Sequence, residues 1–592
     1  MPSTLSGLPR TAAPVPDLPG ADLAVAHTLL NCLLREVSGP ERQASVIGDH
    51  LLLRLPRLGV LLRVALRRTS LLGAHRFTGP VTERLARGGG EDTGDGWSEV
   101  DWLRLAEYTR AELSLRTGAH NDEFLSQVGA SHRGVGAALA APRPAPRALG
   151  DDPLAVYLAS EQSLLLGHRF HPTPKAHSGD PARWAAYAPE AGAAFPLRML
   201  AVRQERVAEE RTEPSATDPL DRLRSVPEGF RLLPAHPWQY EMLADHPVLR
   251  AALDRGDVVD LGPGTEDVRP TASVRTLHTD DGFLKFSLNV RITNCLRKNA
   301  AYELTGAVAL TRALAPVLAD LAARFPGTAV LREPAYRSLA LPGPDGRPDR
   351  SLLEGFGVIV REGLERHLRP GATPLLAAAV ADEYPTGPAQ VSRLLADADP
   401  DTALRWWSAY LRLLVPPVLA AYFDHGVVLE PHLQNVIVCV DGDGTPVQLL
   451  FRDLEGTKLV PEHHARTLAA LPPEVAGPLT YGARRGWDRV VYCLFVNHAA
   501  EVLAALADLH PDRERALWAR LRATVEEYAR EHGCPPRLRA LLAGVPLPAK
   551  ANLLARWDRS ADRDAGYVHV PSPLAEDVLS GASRTDTDWS AR

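Results

Sequence analysis

The sequence has few of the residues that mark disulfide-rich, metal-binding or membrane-spanning proteins. Its 592 residues include only five cysteines, which are far apart and form no CxxC or Cys/His ligand spacing. We therefore expect free thiols in a reducing compartment. The first twenty residues lack the apolar run of a secretory signal, and the longest apolar stretch, around residues 411–423, is interrupted by Arg412, Pro416 and Pro417. These features predict a soluble, cytoplasmic protein without a membrane segment.

The chain also lacks an excess of charge of one sign. Its formal net charge is -6, and acidic and basic residues are mixed along the chain. This gives no reason to expect nucleic acid or an acidic membrane as a partner, although a small anionic substrate could still bind a local basic pocket. The length exceeds what one compact core usually holds, so we expect two or three domains.

The spacing of hydrophobic residues divides the chain into regions of different predicted secondary structure. From about Ala21 to Ala138, apolar residues recur at three- and four-residue intervals, which predicts amphipathic helices. A segment rich in Pro, Ala and Arg at residues 141–153 is typical of a linker. Short extended runs begin at Phe230, and helical patterns resume at residues 301–325 and dominate the C-terminal half.

A β-hairpin is predicted between Val268 and Thr293, with its turn at TDDG. Alternation along the second strand puts Lys285, Ser287, Asn289 and Arg291 on one face, and the first strand groups Thr271, Ser273 and Arg275 in the same way. Such a face could hold a polyphosphate through hydroxyl, Arg and Lys donors. It could equally be the solvated face of an ordinary antiparallel sheet. Arg297 and Lys298, at the predicted start of a helix, favour the anion-binding interpretation.

A second polar cluster lies in the segment LEPHLQN, where Glu430, His432, Gln434 and Asn435 occur within six residues. Two apolar strands around the turn DGDG follow, and they end at Asp453. This hairpin would return the chain so that Asn435 and Asp453 form a hard oxygen site, which suits Mg²⁺ bound to nucleotide phosphates. The alternative is a polar loop with Asp453 as a helix cap.

Three weaker signals have no distinctive chemistry by themselves. GHRFHPTPK contains His168, His171 and Lys175, which could contact a carboxylate, form a metal site or simply shape a surface turn. Arg489 and Tyr492 are one helical turn apart and would share a face. Lys550 lies in LPAKANLL.

Taken together, these segments resemble a known family. HPWQ, PTASVRTL, KFSLNVRITNCLRKNAAYEL, LEPHLQN and RDLEG follow one another in an order similar to that of the aerobactin-synthetase (IucA/IucC) family of siderophore synthetases, which work without a peptide-synthetase assembly line. The resemblance covers roughly residues 150–575. GHRFHPTPK and LPAKANLL match more loosely, and ITNCLRKN is closer to members that use free citrate.

The resemblance implies an α+β fold with a helical N-terminal thumb, an antiparallel-sheet fingers domain and a largely helical palm. ATP would lie in the cleft between fingers and palm. The implied divisions are a disordered tail at 1–20, the thumb at 21–150, the fingers at 151–345, the palm at 346–580 and a tail at 581–592.

The resemblance also implies roles for individual residues. Arg297, His432 and Lys285 would be catalytic. ATP would be held by Ser273, Arg275, Thr276, Lys285, Arg297, His432, Gln434, Asn435 and Asp453. Mg²⁺ would be bound by Asn435, Asp453 and Glu430. The carboxylate substrate would be held by His171, Lys175, Arg297, His432, Arg489, Tyr492 and Lys550.

The implied reaction is adenylation of a carboxylate, with citrate the expected acid, followed by transfer of the acyl group to an amine or alcohol. The expected cofactors are ATP and Mg²⁺, and the resemblance implies a homodimer. No GxSxG elbow or Cys/His pair is evident, which fits direct attack by the amine. Two rival interpretations are a kinase-like phosphotransferase, which would release ADP, and a non-enzymatic iron–siderophore binding or reductase protein.

Overall fold

The computed structural model describes residues 18–85, 96–142, 147–177, 181–292, 295–396, 398–560 and 565–580. Most of the predicted N-terminal tail and all of the predicted C-terminal tail, 581–592, lie outside the described residues. The same is true of part of the predicted linker, at residues 143–146.

The N-terminal region packs three helices against an antiparallel sheet. The helices are α1 Ala21–Leu33, which continues as a π-helical turn at Leu34–Ser38, α2 Trp102–Thr117 and α3 Phe124–Ala140. The strands are β1 Ala44–Ile47, β2 His50–Leu55, β3 Val60–Arg68, β4 Arg76–Leu85 and β5 Ser98–Val100. Each strand pairs with the next in chain order. The prediction of a helical domain over residues 21–150 is therefore wrong for the strands between residues 44 and 85 and at residues 98–100.

The physical reason for this error is the leucine and arginine content of β2 and β3, since both residues are good helix formers. In β2, Leu51, Leu53 and Leu55 are buried while Arg54 is exposed, so the buried residues alternate as in a strand. These leucines pack in one cluster with Leu29 of α1. Packing against the helix decides the conformation here, because strand preference depends on context more than on residue type.

The central region is built on an eight-stranded sheet. Its helices are α4 Pro153–Glu161, α5 Pro181–Trp184, α6 Asp218–Asp221, α7 Pro237–Leu243, α8 Pro247–Arg255, α9 Ala301–Arg324 and α10 Arg350–Gly355. Its strands are β6 Phe195–Arg203, β7 Val207–Arg211, β8 Phe230–Ala235, β9 Val258–Pro270, β10 Thr276–Thr279, β11 Gly282–Phe286, β12 Arg291–Ile292, β13 Cys295–Leu296, β14 Thr328–Val330, β15 Ala335–Leu339 and β16 Val358–Arg361. The sheet order is β7-β15-β16-β11-β10-β9-β6-β8, and these pairings are antiparallel.

The C-terminal region is mainly helical and encloses a four-stranded sheet. Its strands are β17 Thr373–Leu376, β18 Val427–Val428, β19 Val436–Val440, β20 Pro446–Phe451, β21 Lys458–Leu459, β22 Leu547–Lys550 and β23 Tyr567–Val570. Its helices are α11 Ala377–Ala381, α12 Gln390–Leu394, α13 Pro400–Phe423, α14 Pro461–Ala469, α15 Pro473–Leu479, α16 Ala483–Val491, α17 Ala500–Leu509, α18 Glu514–His532, α19 Pro536–Leu542, α20 Asn552–Trp557 and α21 Glu576–Leu579, and a π-helical segment at Tyr492–Ala499 joins α16 to α17.

The two sheets exchange strands across the predicted boundary at 345/346. The C-terminal sheet has the order β14-β20-β19-β17, so it takes β14 from before the boundary. The central sheet takes β16 from after it. The boundary therefore cuts through both sheets, and each region contributes a strand to the sheet of the other.

Among the residues that the structure describes, two helical stretches are long and apolar enough to cross a membrane by length and composition, Ala301–Arg324 and Ala483–Leu509. The second is 94% buried inside the protein and the first 39%. A helix that is apolar on every side is what the centre of a large core requires. Packing thus accounts for the composition of the 483–509 stretch.

Candidate active site

The predicted hairpin forms from β10 and β11, with Thr276 opposite Lys285. Lys285 is 2% exposed and Thr276 is 1% exposed, so this polar face is covered by protein and the solvated-face alternative is excluded. The second strand is shorter than predicted, because regular pairing ends at Phe286. Alternation therefore does not place Asn289 or Arg291 on the face of Lys285.

Ser273 and Arg275 lie in the tight connection between β9 and β10, which differs from the prediction of a common strand face. The connection is closed by a bond from the N–H of Val274 to the carbonyl of Thr271 at 2.8 Å, and Val274 has a left-handed φ of 68°. The N–H of Thr276 donates to Oγ of Ser273 at 3.2 Å. This turn holds Ser273 and Arg275 directly before β10, the strand that pairs with the Lys285-bearing strand β11.

Asp453 meets the hairpin from the C-terminal region. It follows β20 and adopts a left-handed φ of 75°, and the chain then enters a 3₁₀ turn at Leu454–Gly456. Lys285 Nζ donates to both Asp453 Oδ1 and Glu455 Oε2. Arg361 Nη2 donates to Asp453 Oδ1 at 2.7 Å and to Glu333 Oε1 at 2.7 Å. The two regions thus meet in a buried network of ion pairs.

The charges of this network nearly cancel. Burial would raise the pKa of Asp453, but the charges of Lys285 and then Arg361 outweigh it and hold this pKa well below its usual range. Burial would lower the pKa of Lys285, yet Asp453 and then Glu455 raise it. Glu303, nearby, has its pKa raised by burial and by the charge of Glu455. Both ions of the Lys285–Asp453 pair are therefore charged at neutral pH.

Arg275 and Arg297 lie beside this network. Arg275 donates to Asn299 Oδ1, and its second terminal nitrogen is 4.0 Å from Glu455 Oε2. Arg297 is held by backbone bonds in which its N–H donates to Val290 at 3.1 Å and its carbonyl accepts from Leu288 at 2.7 Å. The helix α9 begins only at Ala301, so the prediction that Arg297 and Lys298 stand at a helix start is wrong by one turn.

The second predicted hairpin is confirmed as β19 and β20, with Val436 opposite Phe451. Its closure places Asn435 beside Arg452, whose N–H donates to the Asn435 carbonyl at 3.0 Å. The Asn435 amide donates to the carbonyl of Glu430 at 3.3 Å. Glu430, Asn435 and Asp453 line one small cavity, so the predicted metal ligands are brought together. Gln434 contributes its carbonyl, which accepts from Arg452 Nε at 2.9 Å.

This cavity is not by itself a complete metal cage. In the part of the chain that the structure describes, no group of three or more His, Cys, Asp or Glu side chains is arranged to hold a metal ion. Mg²⁺ typically uses one or two carboxylates and completes its octahedron with water and substrate phosphates. The donor set of one amide and two carboxylates fits that pattern.

Arg452, which lines the cavity, forms a buried ion pair with Glu161. Arg452 donates to Glu161 Oε1 at 2.5 Å and to the Tyr157 hydroxyl at 2.9 Å. The other oxygen of Glu161 accepts the N–H of Ala272 at 2.9 Å. Glu161 on α4 therefore fixes the turn that carries Ser273 relative to the residue that precedes Asp453.

His432 begins the 3₁₀ turn Leu433–Asn435 and connects the cavity to a second group of polar residues. Burial lowers its pKa, Glu430 and Asp453 oppose that shift, and Arg489 and Lys550 add to it. Arg489 Nη1 is 3.5 Å from Glu430 Oε1, and the Tyr492 hydroxyl accepts from Asn497 at 3.1 Å. His432, Arg489, Tyr492 and Lys550 therefore border one region next to the ion-pair network.

The three side chains predicted to act in the GHRFHPTPK segment make contacts in different parts of the protein. Lys175 Nζ pairs with Glu190 at 3.0 Å and donates to the Leu164 carbonyl at 3.1 Å, so its charge is already matched. His171 is buried and its Nδ1 accepts the N–H of Thr173 at 3.1 Å. His168 instead approaches the pocket, since its Nε2 is 2.9 Å from the Asn497 amide and His432 and Lys550 affect its pKa. His168 is therefore near His432 and Lys550, whereas Lys175 is paired with Glu190.

Sequence reasoning missed several residues of the network: Glu161, Asn299, Glu333, Arg361 and Glu455. Glu455 lies inside the RDLEG segment, and its spacing of two from Asp453 was the available signal. The others come from distant elements and have no local pattern.

The fold and the site define a protein of two regions that exchange strands between their sheets and are joined by a buried network of ion pairs. Residues 156–382 match the sequence model of the IucA / IucC family, and residues 404–565 match a model described as ferric iron reductase FhuF-like transporter. The chain is 30% identical to the rhizobactin siderophore biosynthesis protein RhbC of Rhizobium meliloti over 93% of this chain and 97% of that protein. The chain belongs to the IucA/IucC family.

Two further comparisons bear on the site. The chain is 30% identical to the L-2,3-diaminopropanoate–citrate ligase of Staphylococcus aureus over 71% of this chain and 74% of that protein. Its fold matches the structure of ATP-bound aerobactin synthetase IucA from Klebsiella pneumoniae with a TM-score of 0.80 and 25% identity, over 93% of this chain and 99% of that one. The predicted α+β fold class is confirmed.

Proposed function

We propose that this chain is an ATP-dependent ligase that adenylates a carboxylate of citrate and transfers the citryl group to an amine or alcohol in siderophore synthesis. The observation that supports this most strongly is the continuity of the two polar regions: Glu430 lines the same cavity as Asp453, and its Oε1 lies 3.5 Å from Nη1 of Arg489. A nucleotide and a carboxylate bound in these two regions would be direct neighbours.

Lys285, Arg275 and Arg297 would hold the phosphates, with Ser273 and Thr276 as further donors. Lys285 already lies between two carboxylates, so it would exchange part of that pairing for phosphate oxygens when ATP binds. Glu430, Asn435 and Asp453 would hold Mg²⁺, which would supply the positive charge that neutralises the phosphates. Asp453 would then be shared by Lys285 and the metal ion.

In the first step, a carboxylate oxygen of the acid attacks the α-phosphorus of ATP, the bond to the β-phosphate oxygen breaks, and pyrophosphate leaves. His432, Arg489 and Lys550 would position the acid, and Tyr492 would shape the pocket. Because two anions must approach each other, fixed positive charge and orientation supply most of the rate enhancement. Loss of one such contact costs roughly a hundredfold in rate.

In the second step, the lone pair of an amine or hydroxyl attacks the acyl carbonyl, AMP leaves, and the attacking group loses a proton. His432 has its pKa lowered by burial, so its imidazole is neutral at pH 7 and available as a proton acceptor. A homodimer and a cytoplasmic location remain predictions.

A product assay tests the proposal. The protein is incubated with ATP, Mg²⁺, citrate and hydroxylamine, and pyrophosphate, AMP and the hydroxamate are measured. Equal amounts of all three are expected, and omission of citrate should abolish them. Release of ADP and orthophosphate would instead support a kinase-like reaction, and no nucleotide turnover with any polycarboxylate would contradict the proposal.

A further inference from the structure

A buried arginine from the N-terminal region, Arg35, lies near His168 and Tyr492. Arg35 is in the π-helical turn that continues α1, and π-helical turns are frequent at functional sites. It is 8% exposed, and its guanidinium carbon is 3.1 Å from the centre of the Phe170 ring. Stacking on a ring leaves the N–H edges of a guanidinium available for a planar anion.

Among the residues that the structure describes, none forms an ion pair with Arg35, whereas Arg68, Arg76 and Arg169 each have one. A buried cation without a paired anion is costly, which makes such a residue a candidate for ligand binding.

The acidic groups around Arg35 are engaged elsewhere. Glu36 accepts the N–H groups of Leu553 and Leu554 at 3.0 and 2.9 Å. Glu501 lies 3.4 Å from Arg169 Nε. Burial lowers the pKa of Arg35, and Glu501, Tyr492, Glu36 and Cys32 only partly offset that effect. The guanidinium nevertheless remains charged at neutral pH, because arginine titrates far above it.

Arg35 shares two neighbours with the residues proposed to hold the acid. The charges of Arg35 and Lys550 both shift the pKa of His168, and those of Arg35 and Arg489 both shift the pKa of Tyr492. His168 and Tyr492 are therefore close both to Arg35 and to the acid-binding residues. An acyl acceptor whose amine attacks the activated carbonyl would extend its remaining atoms away from the nucleotide, in this direction.

Resting on the proposed function, we propose that Arg35 binds a carboxylate of the acyl acceptor, so that the preferred acceptors are amines of the amino-acid type rather than polyamines. The carboxylate would accept two parallel N–H bonds from the guanidinium while the ring of Phe170 supports its other face. The attacking nitrogen would lie at the opposite end of the acceptor. A polyamine would instead bring a second cation next to Arg35 and be disfavoured.

Matched pairs of acceptors that differ only by a carboxylate test this. L-2,3-diaminopropanoate is compared with 1,2-diaminoethane, and lysine with 1,5-diaminopentane, in wild type, Arg35→Met and Arg35→Lys. In wild type we expect kcat/KM to favour the carboxylate member of at least one pair by about tenfold or more, the value of a charge-assisted bond. Arg35→Met should remove the preference by raising KM for that member, and Arg35→Lys should restore part of it.

Hydroxylamine, which has no carboxylate, separates this proposal from the proposed function. Citrate- and hydroxylamine-dependent pyrophosphate release should remain within about twofold of wild type in Arg35→Met, because adenylation precedes the acceptor. If wild type itself releases no pyrophosphate, the proposed function fails. If wild type turns over hydroxylamine but prefers the carboxylate member of neither pair, or if Arg35→Met raises KM for citrate instead, the acceptor proposal is overturned and the ligase proposal stands.

Discussion

The two ends of the candidate site differ in how far their charged side chains are paired with opposite charges. At the proposed phosphate end, direct ion pairs neutralise the charges of Lys285, Arg361, Asp453, Glu455 and Glu333. At the proposed carboxylate end, Arg489 has a long contact of 3.5 Å with Glu430, and Arg35, which we propose binds the acceptor rather than the acid, has no ion pair among the described residues.

This difference indicates how one cleft can accept two anions. A self-neutralised network is rigid and holds its geometry before ATP arrives, and it requires a metal ion to add net positive charge. An under-neutralised pocket attracts an anionic substrate directly, since uncompensated positive charge in a low-dielectric site is not screened by water. Variants at the two ends should therefore differ in how much stability and how much adenylation activity they lose.

Replacing Lys285 by Met should have the largest effect. It leaves Asp453 and Glu455 without their shared cation, which should lower the free energy of unfolding by about 3–5 kcal/mol and reduce adenylation roughly a thousandfold. Denaturant titration and pyrophosphate release measure the two effects. The matched control is Arg222→Met, which breaks the exposed pair with Asp281 at the turn of the same hairpin and should cost at most about 1 kcal/mol. Equal losses in the two variants would contradict the buried network.

Replacing Asp453 by Asn keeps the shape of the side chain but removes its charge. Adenylation should fall roughly a hundredfold and the Mg²⁺ concentration needed for half-maximal rate should rise, because one proposed ligand is weakened. Asp443→Asn, in the exposed turn between β19 and β20, serves as the control. An unchanged Mg²⁺ dependence in Asp453→Asn would remove Asp453 from the metal site.

His432→Ala and Arg297→Ala should each lower citrate-dependent pyrophosphate release roughly a hundredfold while the melting temperature stays close to wild type. His432 joins the two ends of the site, so its loss should affect KM for citrate and the rate together. Near-wild-type release from both variants would show that these residues take no part in adenylation. His425→Ala, which breaks a contact with Asp320 outside the site, should leave the rate unaltered.

The smallest effect concerns acid sensitivity, to which His168 should contribute. Burial lowers the pKa of His168 to about 4, so between pH 6.5 and about 4 the unfolded chain binds a proton that the folded chain does not. Stability from this residue is complete above pH 6.5 and is lost as the pH falls, by about 2 kcal/mol at pH 5. His168→Gln should reduce the difference in unfolding free energy between pH 7 and pH 5 by about that amount. An unchanged difference would contradict the neutral, buried state of His168.

Sequence patterns predicted the parts of the site that local alternation controls. The β19–β20 hairpin and the approach of Asn435 to Asp453 followed from two apolar strands around DGDG. The burial of Lys285 could not be read from its own strand, because a polar strand face has the same pattern whether water or another lobe covers it.

The remaining parts depend on long-range packing. Glu161, Glu333 and Arg361 reach the site from separate elements, and each stands in a local sequence without a distinctive pattern. The sheet of β1 to β5 was missed because leucine-rich strands share the apolar content of helices, and only the contact with α1 selects the strand. Arg35 could not be predicted for the same reason, because its contact with the Phe170 ring depends on long-range packing and no pattern near it in sequence indicates that contact.

The central claim is that the cleft joins a carboxylate oxygen to the α-phosphorus of ATP. Citrate labelled with ¹⁸O in its carboxylates tests this directly when it is turned over with ATP, Mg²⁺ and hydroxylamine. Mass spectrometry should find one labelled oxygen in the phosphate of AMP and none in pyrophosphate. Label in orthophosphate, with ADP as the nucleotide product, would contradict the account.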